Sequence, residues 1–84
     1  MKINTLNKLI NNSIWIDPEN QVVYEFSNGN KVAINGINHT HYLLNCENRK
    51  TILHLGSHDY YLKYINDFTL ELYNEKEKIR IIPE

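Results

Sequence analysis

Residues 51–73 read TILHLGSHDYYLKYINDFTLELY, and most of the regular apolar alternation in the chain lies in this stretch. Leu53 and Leu55, then Tyr60, Leu62 and Tyr64, then Phe68, Leu70 and Leu72 alternate with polar neighbours. A period of two is what a strand requires when one face packs on a core and the other meets water. The interruptions fall at Gly56-Ser57-His58 and Asn66-Asp67, built from residue types that form turns. The stretch therefore predicts three antiparallel strands joined by tight turns. Register needs one adjustment. A two-residue loop at Asn66-Asp67 pairs Ile65 with Phe68 and puts Leu62 and Phe68 on opposite faces. Keeping Tyr60, Leu62 and Tyr64 on the side of Phe68, Leu70 and Leu72 takes an odd-length loop or, the reading preferred, a bulge at Ile65.

Upstream, Ile3, Leu6, Leu9 and Ile10 recur at helical spacing, with Asn4 or Thr5 placed to cap, so a short amphipathic helix over about 4–12 is expected. From about 13 to 82 the chain reads as a meander. Ser13–Asp17 is a first strand, and Asp17-Pro18-Glu19-Asn20 a turn with proline preset for its second position. Val22, Tyr24 and Phe26 share a face before Ser27-Asn28-Gly29-Asn30, a strong hairpin signal because Asn and Gly accept positive φ. Val32 and Ile34 point inward next, and Gly36 marks a bend. Thr40–Asn45 supplies Tyr42 and Leu44, with Cys46–Lys50 as the following loop. After the three strands already described, Asn74–Glu77 turns the chain into Lys78–Ile82, which Pro83 ends for want of a ladder donor. Eight short strands with no room for crossovers predict a mainly β, single-domain, up-and-down antiparallel meander closing into a small barrel. The alternative is an open twisted sheet packed on the helix.

Composition bounds the function. With 84 residues, net charge −1, 42% hydrophobic and 23% charged residues, the chain is an ordinary small globular domain. Such a chain buries only about 60–65% of its unfolded surface, which leaves no material for a large deep pocket. Nine basic against ten acidic residues argue against a nucleic-acid partner. The lone Cys46 forms no internal disulfide, the N-terminal residues hold no apolar leader, and no run approaches the roughly 20 apolar residues of a membrane span. A cytoplasmic protein without membrane partners, monomeric or homodimeric, is expected.

Trp15 at the first strand, the order Tyr60, Leu62, Ile65, Asn66-Asp67, Leu70, Leu72, and Phe26 ahead of Asn28-Gly29 resemble the small bacterial lipocalin-like domains of the calycin type. The resemblance runs from Leu6 to Ile82, with Ser13 where the family carries glycine. It implies a closed or nearly closed barrel with a ligand in its mouth, and it implies no reaction.

No nucleophile elbow, phosphate-cradling glycine loop or metalloprotease motif is present, so no catalytic residue, cofactor or metal is assigned. Two binding functions remain. In the first, a non-enzymatic barrel holds a small apolar ligand or peptide against Trp15, Tyr24, Tyr42, Tyr60 and Tyr64. In the second, the barrel is filled and its outer face engages a protein partner, as an inhibitor, immunity, anti-defence or accessory protein. Tyr61, Tyr73, His41 and His54 are the outward candidates, together with Lys63 and Arg80, because aromatics mixed with polar groups are enriched at interfaces. His41 and His54 are expected opposite or diagonal on one sheet face. An internal cavity favours the first function; a solid interior with an exposed aromatic patch favours the second.

Overall fold

Turn chemistry sets the path of the chain. In a computed structural model, which describes residues 2–84, six non-glycine residues adopt left-handed φ, and four of them are Asn12, Asn30, Asn35 and Asn48. Asparagine tolerates this region better than other residues with a Cβ, so the turns fall where asparagines stand. Asn35 and Gly36, at φ 55° and 69°, are the paired left-handed residues of a type I′ turn. Asn48 and Arg49, at φ 51° and 66°, form a second one between the paired residues Glu47 and Lys50.

These turns connect one helix and eight strands: α1 Ile3–Ile10, β1 Ile14–Asp17, β2 Val22–Ser27, β3 Lys31–Ile34, β4 Asn38–Glu47, β5 Lys50–Leu55, β6 His58–Asn66, β7 Thr69–Tyr73 and β8 Lys78–Pro83. Each strand pairs antiparallel with the next, and β8 pairs with β1, giving a closed barrel in simple meander order. The open twisted sheet is thereby set aside. At the seam Trp15 lies opposite Pro83 and Ile16 opposite Ile82. Pro83 has no N–H, and the next residue takes over: Glu84 N donates to the Ile14 carbonyl at 3.0 Å.

Several boundaries move relative to the sequence reading. Lys2, not Asn4 or Thr5, occupies the N-cap position of α1, and no side chain caps it. β4 runs on through Cys46, because the two-residue turn at Asn48-Arg49 lets the ladder continue where a loop was expected. Pro83 is the last residue of β8 rather than its stop.

The bulge at Ile65 is present: Tyr64 pairs with Leu70 while Asn66 pairs with Thr69. Phe68, however, does not join the inward row. It sits in the turn at 73% exposure, and its N–H donates to Asn66 Oδ1 at 2.8 Å. The Asx turn fixes the backbone there, and β7 starts one residue too late to bring the ring inside.

Trp15, Phe26, Val32, Leu53, Leu70, Leu72 and Ile81 are buried to within 1% exposure and pack as one core with Tyr24, Tyr42, Leu44, Leu55, Leu62 and Ile79. Helix α1 stops one end of the barrel with Leu6 and Ile10, both buried. Asn12 at its exit donates to Asn28 Oδ1 of the β2–β3 turn at 2.9 Å, and Leu9 lies beside the β6–β7 turn residues Asp67 and Phe68. Ser13 ties helix to barrel. Its hydroxyl donates to the helix's last carbonyls and accepts the Trp15 indole N–H at 2.9 Å. A glycine there would leave a buried indole donor without that partner.

Glu71 is outward by parity but buried, at 7% exposure, with Lys78 at 3.7 Å and Arg80 at 3.5 Å across the β7–β8 ladder. Long cationic side chains fold over it, so parity alone misjudges its burial. Leu70→Ala and Leu72→Ala are each expected to cost about 2–5 kcal/mol in chemical denaturation. Glu71→Gln is expected to cost about 0.5–1 kcal/mol at low salt and less at high salt, since both partners are largely solvated.

Candidate functional site

The inward aromatic residues are core. Trp15, Tyr24 and Tyr42 are 1%, 6% and 3% exposed. The Phe26 ring meets Tyr42 edge-on at 4.9 Å between centroids and lies stacked with Tyr24 at 6.4 Å. Eight strands enclose a space just wide enough for side chains, and these rings occupy it. The main concavities of the described residues all open outside the wall. Tyr42 reaches the helix end, where its hydroxyl donates to Asn11 Oδ1 at 3.4 Å.

At the end opposite the helix the barrel mouth is acidic. Asp17 is buried, its carboxylate accepting the backbone N–H groups of Glu19 and Asn20 at 3.1 and 3.2 Å and the Asn20 amide at 2.8 Å. Tyr60 donates a long hydrogen bond to Glu77 at 3.5 Å. Burial, and then the neighbouring Tyr60, Asp17 and Glu77, push the Tyr24 hydroxyl up to about 12. Burial, followed by the charge and hydrogen bond of Glu77, raises Tyr60, and burial alone raises Tyr42. Tyr64 lies at the helix end of the same strand, where its hydrogen bond to Asp67 raises it first of all. The five residues expected to line a ligand site are therefore divided: three in the core, Tyr60 at the open mouth and Tyr64 at the stoppered end.

The outer wall holds the aromatic patch. Ladder pairing aligns Ile52, Tyr61, Tyr73 and Lys78 across β5 to β8. The Tyr61 and Tyr73 rings are 5.4 Å apart and tilted by 33°. Lys50 Nζ stands 5.0 Å from the centre of the Tyr61 ring, a cation–π contact. Below this row lies a concavity of about 310 Å3, floored by Leu6 and Leu62 and bordered by Arg49, Lys50, Lys63, Tyr61, Tyr64 and Tyr73. Arg49 and Lys50 are absent from the outward residues expected from sequence. The signal for them was Asn48, whose two-residue turn makes Lys50 a strand residue.

The histidines separate. Leu43 lies opposite His54, which places His41 diagonal to it on the same face. His54 Nδ1 is 2.6 Å from Asp59 Oδ1, its cross-strand neighbour on β6. His41 belongs to another concavity, with His39, Lys31 and Glu25. Among the described residues no group of three or more His, Cys, Asp or Glu is arranged to hold a metal ion, and no helix is long and apolar enough to cross a membrane. Cys46 is exposed.

Comparisons with protein-family models, with curated proteins and with solved structures give no match.

The raised tyrosines carry a pH dependence with a definite sign. Folding favours their protonated form, so their contribution is complete below about pH 10 and is lost as pH rises towards 12. The melting temperature is expected to fall steeply across that window. Tyr24→Phe is expected to flatten the fall, with tyrosinate absorbance following the same transition.

Proposed function

We propose that this protein is a non-enzymatic binding module that engages a protein partner through the outer wall of its barrel, over β5, β6 and β7. The observation that carries this reading is an aromatic core coupled to a tyrosine pair on the outside, Tyr61 exposed and Tyr73 half-buried. Tyr61 is 38% exposed and stands beside Tyr73, in a wall that also presents Leu43 at 51% exposure. Trp15, Phe26 and Tyr42 are buried in the centre of the barrel, which supports recognition on the outside over a ligand held within. Paired, preordered aromatics of this kind are the commonest anchors of protein interfaces, because two χ angles order a large contact area.

The closed meander, its stoppering helix and Trp15 support a lipocalin-like ancestry in which the ligand space has become core. In that reading the ligand role of Trp15, Tyr24 and Tyr42 has given way to packing, and Tyr60 and Tyr64 work at opposite ends. Inhibition of a larger enzyme, or service as its accessory subunit, matches the size of the chain and the closed barrel, which offers no strand edge for pairing.

A photo-crosslinking amino acid placed at Tyr61 tests the reading in the native host. An adduct is expected from position 61 and none from Glu25, on the far wall in β2. Truncating both anchors, Tyr61→Ala with Tyr73→Ala, is expected to weaken the purified complex by about 2 kcal/mol or more, roughly thirty-fold in Kd, with the far-ultraviolet spectrum unchanged. Adducts from position 25 alone, or an unchanged Kd, would remove the outer wall from consideration.

A further inference from the structure

The concavity beneath Tyr61 and Tyr73 has an unusual set of walls for a protein of net charge −1. Three cations, Arg49, Lys50 and Lys63, and three tyrosines, Tyr61, Tyr64 and Tyr73, border it, and no carboxylate does. Elsewhere on the same sheet cations have partners: Lys78 and Arg80 both reach Glu71. Among the described residues Arg49, Lys50 and Lys63 take part in no ion pair. Glu47, opposite Lys50 in the ladder, turns its carboxylate to the Asn45 amide instead, at 3.2 Å. Lys63 faces Glu71 in the ladder and Lys50 lies over the Tyr61 ring, but among the described residues none of the three cations is in ion-pair contact. The rim of the groove is therefore a positive field that a negatively charged partner satisfies and a neutral one does not.

The backbone points the same way. Arg49 occupies the second position of a type I′ turn at φ 66°, where glycine is the favoured residue and a long side chain is strained. Its neighbour Asn48 is the residue type such a turn prefers, so the turn is well made but for this one position. Strain kept at the rim of a cationic groove has a use if the side chain it carries is needed there.

We propose that this groove receives an acidic segment of the protein partner, with Glu or Asp carboxylates on Arg49, Lys50 and Lys63 and the segment's apolar groups along the part of Tyr61 that Lys50 and Tyr73 leave exposed. This rests on the outer-wall function above and specifies its chemistry. An acidic peptide is favoured over single-stranded nucleic acid because the faces that bases would stack on are taken. Lys50 covers Tyr61 at 5.0 Å, and Tyr61 and Tyr73 pack on one another.

The test uses isotope-labelled full-length protein titrated with a capped peptide of alternating Glu and Leu, with its Lys-for-Glu counterpart and with oligothymidylate. The acidic peptide is expected to move amide signals of residues 49–51, 61–64 and 73. Its Kd is expected to rise about tenfold or more between low and high salt, as screening shortens the reach of the cations. Lys50→Glu with Lys63→Glu is expected to abolish the shifts while preserving the remaining spectrum. Arg49→Gly separates fold from function: the melting temperature should rise as the turn relaxes, while Kd for the acidic peptide weakens several-fold. Unchanged affinity in either variant overturns the proposal, as does oligothymidylate binding the groove more tightly than the peptide. If position 61 crosslinks a partner through a segment that is not acidic, this inference fails and the outer-wall function stands.

Discussion

The fold depends on β8 reaching β1. The sheet is built of strands only four to ten residues long, and an open sheet of that kind would leave two unpaired edges and a core exposed along one side. Closure places Trp15 opposite Pro83, and the Glu84 N–H reaching the Ile14 carbonyl continues the ladder past the proline. The same closure decides what the inside can be. Eight strands of this length enclose little more than a stack of side chains, and Trp15, Phe26, Tyr42 and the leucines supply that stack. The buried rings and leucines behind the wall serve packing, and the proposed binding function is placed on the wall for that reason.

Much of this was legible in the sequence because strands with one wet face write themselves as alternation. The order of the meander, the inward row from Leu53 to Leu72 and the bulge at Ile65 follow from parity and turn chemistry alone. Phe68 was not legible, because parity carries no information about where a strand begins, and an Asx turn at Asn66 delays β7 past that residue. Glu71 failed in the opposite sense: its position faces outward, yet Lys78 and Arg80 lie over it from the next strand. The continuation of β4 through Cys46 was hidden because Asn48-Arg49 makes a tight turn without glycine. The candidate site was less readable than the fold. Tyr61 and Tyr73 share a face by alternation, but their contact, and the arrival of Lys50 over Tyr61, depend on pairing registers that only the closed sheet fixes.

The helix is coupled to this wall rather than appended to it. Leu6 floors the groove below Tyr61 and Tyr73, and Ile10 sits in the core. At the helix exit, Ser13 accepts the Trp15 indole and bonds back to the helix carbonyls, so the first strand and the helix hold each other in place. A shift of α1 would therefore alter the floor of the groove and the packing of Trp15 together. The wall is backed by the packed core, the support that the proposed aromatic anchors would require.

Net charge is a poor guide to such a surface. The sum of −1 argues against an anionic partner only if the charges are mixed evenly, and around the groove under Tyr61 the lining residues that carry charge are cations. Asp17, Glu19, Glu75 and Glu77 stand at the open end, where burial first, and then Asp17 and Glu77 beside Tyr24 and Glu77 beside Tyr60, raise the tyrosines of the mouth. Unpaired cations collect on the wall toward the helix, on β5, β6 and the turn that precedes β5. Screening limits each charge to a range of about 8 Å at physiological salt, whereas the barrel extends 25–33 Å along its principal axes. At the tyrosine wall the charges within that range are Arg49, Lys50 and Lys63 together with Glu47 and Glu71, the ladder partners of Lys50 and Lys63. The charge of that face is thus set by strand register, which brings Lys50 and Lys63 to the side of Tyr61 and sets a carboxylate opposite each of them.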